Sequence, residues 1–431
     1  MALTGRLGLV AVAVAIAVGL LAPTGWGVLL ATLALLVLAA VDIALAGSVR
    51  ALRLSRDGDT AVRLGETATV RLTLTNPGRR RVRGRLRDAW PPSAGAAEPR
   101  HVVDVPPGEQ RRLVTLLRPT RRGDRIPDRV TVRALGPLGL AARQGSHRVP
   151  WRLRALPPFT SRRHLPSRLA RLRELDGRSA VRVRGQGTEF DALREYVDGD
   201  DVRSIDWRAT ARAADVMVRT WRPERDRRVL LVLDCGRTAA GRVGDAPRLD
   251  SAMDAALLLA ALASRAGDRV DLLAYDRTVR ARVEGVPATG LLPALVQALA
   301  PLDATLVEPD YRGMVATVLS RSARRSLVVL LTALDTAPVE EGLLPVLGQL
   351  TRRHQVVLAS VADPRVEEMA AARGDAAGVY EAAAAERTRG DRRRVAQVLS
   401  RRGVEVVDAA PDRLAPLLAD RYLELKAAGR L

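Results

Sequence analysis

From Arg228 onward, short runs that are wholly or largely apolar alternate with longer helical stretches, and no other feature of the 431-residue chain constrains its fold as much. Val229 to Leu233, Val270 to Tyr275, Leu327 to Leu331, Val356 to Val361 and Val404 to Val407 read as strands. Leu249 to Arg265, Leu291 to Leu299 and Tyr311 to Ser320 read as helices. A strand that is apolar at every position must be covered on both faces, and intervening helices supply the cover. The pattern therefore predicts a doubly wound, parallel α/β domain over residues 228–431. Ligands of such sheets gather beyond the carboxyl ends of the strands. Asp234 follows the first strand directly, Asp335 lies just after Leu327 to Leu331, and Thr238 and Thr305 stand in loops that can approach them.

The amino-terminal end obeys a different constraint. Leu7 to Ala22 is continuously apolar, Pro23-Thr24-Gly25 interrupts it, and Val28 to Ala46 is apolar except for Asp42. Crossing a bilayer takes about 17 to 25 apolar residues, so the first run is marginal and the second ample. The reading is a transmembrane helical hairpin over residues 1–49, with spans at about 7–23 and 26–46. A cleaved signal peptide, suggested by Arg6 ahead of the first run, is the weaker reading because a second run follows so soon. Asp42 reads as an interfacial residue. Arg50, Arg53 and Arg56 follow the second run while the loop between the runs is uncharged, so a two-pass protein with its soluble bulk in the cytoplasm is expected.

Charge is concentrated beside this hairpin. Residues 50–185 hold 32 arginines against 11 acidic residues, an excess equal to the +21 of the whole chain, so the remaining charges cancel. An anionic membrane surface attracts such a region by about 1 kcal/mol per arginine that faces it closely. Nucleic-acid binding is not expected, because Trp90, Trp151 and Phe159 are too scattered to make a stacking platform. Cys235 is the only cysteine and the four histidines show no ligand spacing, which argues against disulfide, zinc and haem chemistry. Lys426 is the only lysine and follows no glycine-rich turn, so the chain lacks a P-loop.

Between these regions, Thr69 to Thr75 alternates apolar and polar residues, Asn76-Pro77-Gly78 supplies a turn, and Val82 and Leu86 resume the alternation. Leu113 to Leu117 and Val130 to Val132 are further strands. An immunoglobulin-like β-sandwich over residues 50–153 is expected, as a spacer or docking module. Residues 154–227 form a connector with a short helix around Leu169 to Leu175.

Within the connector, Gly187 to Arg212 packs seven acidic residues, four arginines, Phe190, Tyr196 and Trp207 into 26 positions. Asp198, Asp200 and Asp201 surround Gly199, which is turn chemistry and not the spacing of a helix face. Followed by Arg219, Trp221, Glu224 and Arg225, this segment resembles the signature of the domain-of-unknown-function-58 family. Gly136-Pro137-Leu138-Gly139-Leu140 and the ending from Tyr422 to Gly429 are similar to that family as well. The resemblance implies a bacterial membrane-anchored protein whose residues 228–431 form a von Willebrand factor A-like domain. It implies a non-enzymatic scaffold or adaptor that works with a MoxR-type AAA+ ATPase in complex assembly or cell-envelope processes.

The same resemblance gives Asp234, Thr238, Thr305 and Asp335 a role. Their counterparts form a metal-ion-dependent adhesion site, in which an Asp-x-Ser-x-Ser turn, a threonine and a second aspartate surround Mg²⁺ with oxygen donors. Asp234-Cys235-Gly236-Arg237-Thr238 has glycine for the first serine and threonine for the second, so the site is degenerate. A metal-free arrangement, with Asp234 capping its loop and Asp335 opening a turn, stands beside the Mg²⁺ reading. In the signature, Glu189, Glu195, Asp198, Asp200 and Asp201 with Arg194 and Arg203 suit a docking surface, to which Phe190, Tyr196 and Glu224 are assigned. Asp206-Trp207-Arg208 and Thr210 to Arg212 suit an ion-paired clasp onto the α/β domain. The alternative is a metal-assisted hydrolase using Asp234, Asp335 and the acidic signature, which needs signature carboxylates within a few Å of Asp234.

Overall fold

The computed structural model describes all residues except 1, 22, 183–188, 199, 214, 223–226, 323 and 372–375, with backbone alone for 176–182, 189–192 and 220–222. Two units result, Met1–Leu156 and Pro157–Leu431.

In the first unit, Gly5–Leu21 and Gly25–Leu45 are consecutive α-helices in contact with each other. Thr24 opens the second by accepting the N–H of Gly27. At 1.5 Å per residue, 21 residues give about 31 Å, which matches a hydrocarbon core of roughly 30 Å, whereas 17 residues give only about 25 Å. Among the described residues, Gly25–Leu45 is the one helix long and apolar enough to cross a membrane. Its Leu29, Leu33, Leu36 and Val37 are exposed, as a lipid-facing surface would be.

Asp42, in the last two turns of that helix, is fully buried. Its carboxylate accepts the backbone N–H groups of Leu138, Leu140 and Ala141, each at 2.8 Å. Gly136 permits the approach, since a Cβ there would stand 2.2 Å from the Asp42 carboxylate, and Gly139 takes a left-handed φ of 69°. The Gly136-to-Leu140 stretch thus wraps the end of the apolar helix. Asp42 is one of the acceptors that fasten the sandwich to that helix, beside the Ile43 and Ala44 carbonyls, which accept from Arg143 and Arg80, and this is a more specific role than an interfacial residue would have.

The remaining strands of this unit make an antiparallel β-sandwich. One sheet orders Ala2–Leu3, Ala141–His147, Val130–Leu135, Val82–Asp88 and Arg100–Val105; the other orders Arg53–Gly58, Ala68–Thr75 and Gln110–Leu117. Val82 and Leu86 face inward while Arg83, Arg85 and Arg87 face out, the two-residue period of a half-buried strand. Leu72 and Leu74 from one sheet meet Val103, Val130 and Val132 from the other in a single core. Leu153–Leu156 joins a third, small sheet, so the unit runs past the expected limit at residue 153.

A charged pair lies inside. The Arg56 guanidinium meets Asp88 with both side chains 1% exposed, and it also donates to the Val149 carbonyl. The Trp90 indole N–H donates to Asp88 at 2.9 Å, and its ring centroid is 5.3 Å from the guanidinium carbon. Burial lowers the Arg56 pKa, against the opposing pull of Asp88. Arg56 is therefore an interior ion-pair partner and not a free charge beside the membrane, which leaves Arg50 and Arg53 to carry the orientation argument.

The second unit holds six strands in the order Val279–Val283, Arg269–Tyr275, Arg228–Asp234, Leu327–Leu331, Gln355–Val361 and Val404–Ala409. Five run parallel, and Val279–Val283 is antiparallel at one edge. Leu230, Val232, Val328 and Leu330 pack with Tyr311, Met314 and Leu347 on one face, while Arg248–Arg265 and Pro411–Ala427, in contact with each other, cover the other. The order of strands reverses between Arg228–Asp234 and Leu327–Leu331, which puts the switch point of the sheet between their carboxyl ends. Lys426 is held near the end of Pro411–Ala427 by Asp268, 2.8 Å away, with side chains 11% and 2% exposed. The connector is fastened through Thr160 and Ser161, which donate to Asp254, and through Arg168, paired with Asp420 at 2.9 Å.

Candidate functional site

Asp234 ends the strand on one side of the switch point and Thr332 follows the strand on the other. The Thr332 hydroxyl donates to Asp234 Oδ2 at 2.6 Å, the Thr238 hydroxyl donates to the same oxygen at 2.9 Å, and the Gly236 N–H donates to Oδ1 at 2.7 Å. Thr332 has spent its one proton on the carboxylate, so the Tyr311 hydroxyl, 3.1 Å away, is the donor to it. Asp234 is 2% exposed. Burial pushes its pKa up, against the pull of its three hydrogen bonds, and burial followed by the Asp234 charge raises that of Tyr311.

Such a carboxylate costs stability. With its folded pKa raised, its contribution is present in full below about pH 3.9 and is lost as pH climbs through the folded value. Asp234→Asn keeps the shape and one acceptor. It is expected to unfold at a higher temperature than wild type at about pH 7 and at the same temperature at about pH 3, followed by circular dichroism. A buried acid at the carboxyl ends of the strands, where α/β sheets bind their ligands, is a candidate functional site.

The other expected residues are only partly gathered here. Asp335 is 40% exposed and faces Arg248, with Nη1 3.4 Å from its carboxylate. Thr305 belongs to a neighbouring cluster: its N–H donates to the Cys235 carbonyl at 2.7 Å, and its hydroxyl lies 3.1 Å from both that carbonyl and Asp276. Burial works to raise the Asp276 pKa, but the N–H groups of Thr278 and Arg277 and the Thr305 hydroxyl outweigh it and hold the value low. Cys235 is wholly buried. Thr332, Tyr311, Arg248 and Asp276 were not foreseen.

The donor set does not fit the hard divalent cation that the degenerate motif implies. One carboxylate already accepts from both nearby hydroxyls, the position of a third hydroxyl is Gly236, and the second carboxylate faces a guanidinium. Among the described residues no group of three or more His, Cys, Asp or Glu side chains is placed to hold a metal ion.

The signature forms a β-hairpin, Glu189–Glu195 against Met217–Arg222, with the short helix Trp207–Thr210 between its strands. Asp206 caps that helix through the N–H groups of Arg208 and Ala209, both at 3.0 Å, and pairs with Arg219 at 2.7 Å. The Ala209 N–H, then Arg219, lower the Asp206 pKa. Asp200 pairs with Arg194 at 2.5 Å and accepts the Val197 N–H, Asp201 accepts the Arg203 N–H, and Thr210 accepts the Met217 N–H. These bonds close the segment on itself, whereas a clasp onto the α/β domain was expected. Glu195, Asp198, Arg203, Trp207, Arg208 and Arg212 are exposed and Tyr196 is half-buried. Gly199 and Glu224 lie outside the described residues, as do the side chains of Glu189 and Phe190.

The chain thus joins an α/β domain, whose switch point holds a buried, multiply bonded acid, to a sandwich unit carrying one helix long and apolar enough to cross a membrane. The family described as "Protein of unknown function DUF58" matches residues 192–407, half of the chain, and the protein belongs to that family. The uncharacterized protein Rv1480 of Mycobacterium tuberculosis is 26% identical over 189 residues, 43% of this chain and 59% of that protein. The uncharacterized protein Mb1516 of Mycobacterium bovis matches to the same extent. The chain thus spans about three fifths of the length of these curated relatives. Among solved structures, the CARDB domain of the PF1109 protein from Pyrococcus furiosus, in complex with di-metal ions, has a TM-score of 0.16 at 20% identity, covering 22% of this chain and 90% of that one. A beta-glucosidase from Listeria innocua has a TM-score of 0.15 at 15% identity, covering 23% and 16%. Neither likeness is close enough to bear on function.

Proposed function

We propose that this protein is a membrane-anchored adaptor whose α/β unit works as a von Willebrand factor A-like module and binds protein partners. In this reading both apolar helices cross the inner membrane, the sandwich is an immunoglobulin-like spacer, and the soluble units face the cytoplasm. The strand order with one antiparallel edge supports the first assignment, and the two-sheet core supports the second. A MoxR-type AAA+ ATPase is the proposed partner, on the strength of the resemblance alone, and the switch-point site is read as metal-free.

The observation that carries the reading is the signature surface. Its Asp200, Asp201 and Asp206 are spent on its own arginines and amides, while Trp207 is 69%, Val202 64% and Val197 62% exposed. Exposed tryptophan beside arginine is the composition of a binding hot spot, and these three carboxylates are already engaged. The metal-assisted hydrolase is the weaker reading, since the hydrogen-bond partners of Asp234 are Gly236, Thr238 and Thr332.

Trp207→Ala is expected to weaken recovery of the ATPase from gently solubilised membranes by about 2 kcal/mol, roughly thirtyfold in affinity, without lowering thermal stability. Recovery equal to wild type would move the interface off the signature. No ATPase with either protein, in any nucleotide state, would end the adaptor reading.

A further inference from the structure

At the opposite end of the same sheet, where the parallel strands begin, the second unit carries a half-open groove of about 880 Å³. Five arginines line it: Arg228, Arg269, Arg321, Arg324 and Arg325. Its two lining acids are already engaged, Asp268 by Lys426 and Tyr422, and Asp271 by Arg228 and the Gly285 N–H. Arg324 and Arg325 are exposed and make no ion pair among the described residues. Arg321 holds Glu284 at 3.0 Å through Nη1, while its Nε is buried without a hydrogen-bond partner.

The groove also receives the start of the helix Ala288–Leu299, whose cap position, Pro287, offers no side-chain acceptor. Its first turn and the positive end of its dipole therefore face the groove, with the Gly290 N–H taken by the Pro287 carbonyl at 2.9 Å. Planar guanidinium forks match phosphate oxygens, and the volume lies within the range of small-molecule sites. No aromatic side chain lines it, so nothing there would stack on a nucleobase. We infer that this groove binds a compact multivalent phosphate, a diphosphate group or a phosphate ester, by its phosphate end.

The test is calorimetric titration of the full-length protein in detergent micelles with inorganic pyrophosphate at fixed ionic strength. Wild type is expected to bind at one saturable site. Arg324→Glu with Arg325→Glu is expected to weaken that binding at least tenfold while leaving thermal unfolding unchanged. Arg387→Glu with Arg401→Glu, exposed on another helix of the same unit, is the control for general charge and is expected to bind as wild type. No saturable binding by wild type, or equal weakening in both reversals, overturns the inference. Given binding, displacement of pyrophosphate by phosphatidic acid doped into the micelles assigns the site to a lipid headgroup, and its absence assigns it to a soluble phosphate; both outcomes support the site.

Discussion

Asp42→Ala is expected to free the sandwich from its apolar helix. The substitution leaves three amides, those of Leu138, Leu140 and Ala141, without their acceptor, and the last two are buried. Each unsatisfied buried donor costs about 1–3 kcal/mol, and relaxation of the loop makes the sum less than additive, so a loss of about 3 kcal/mol or more is expected. Asp42→Asn retains one acceptor oxygen and should lose less. Hydrogen exchange of the full-length protein in micelles reads this directly, with the Gly136-to-Ala141 amides losing protection in the alanine variant and part of it in the asparagine variant. Unchanged protection in both would show that other contacts hold the loop.

The second large effect lies within the sandwich. Asp88→Ala removes the partner of a guanidinium that is 1% exposed, and breaking a buried pair from one side costs about 3–5 kcal/mol. Trp90 loses its acceptor in the same step. Replacing both members, Arg56→Met with Asp88→Leu, takes away the unpaired charge and should recover most of the loss, because apolar side chains of similar volume often match or exceed a buried ion pair. Urea unfolding of the three proteins distinguishes the cases. A double variant as unstable as Asp88→Ala would mean that the Arg56 contact with Val149 and the Trp90 ring contributes more than the charge pairing.

What could be read from the sequence followed from periodicity. The apolar runs from Val229 to Leu233 and from Leu327 to Leu331 are strands within a residue or so of their expected limits, because a strand covered on both faces is mostly apolar along its length. Val279–Val283 escaped notice since its Val-Arg-Ala-Arg-Val pattern is that of an edge strand with one wet face. The site was half legible. Asp234 announced itself by following a strand, but Thr332 reaches it from 98 positions away across the reversal of strand order. No local pattern encodes that meeting. Asp42 hid for the same reason, with its nearest amide donor 96 positions distant. The signature was recognised by composition, yet Asp200, Asp201 and Asp206 proved to be caps and internal ion-pair partners, which spacing alone does not separate from a docking face.

The burial of Lys426 against Asp268 has a practical and a cellular consequence. Reagents that acylate primary amines find one side chain in the whole chain, and that amine is shielded and charge-paired. Any cellular tagging route that attaches its mark to a lysine amine meets the same single, guarded address. Turnover of this protein through such a route would require the carboxyl-terminal helix to lift first, coupling its lifetime to local unfolding of the α/β unit.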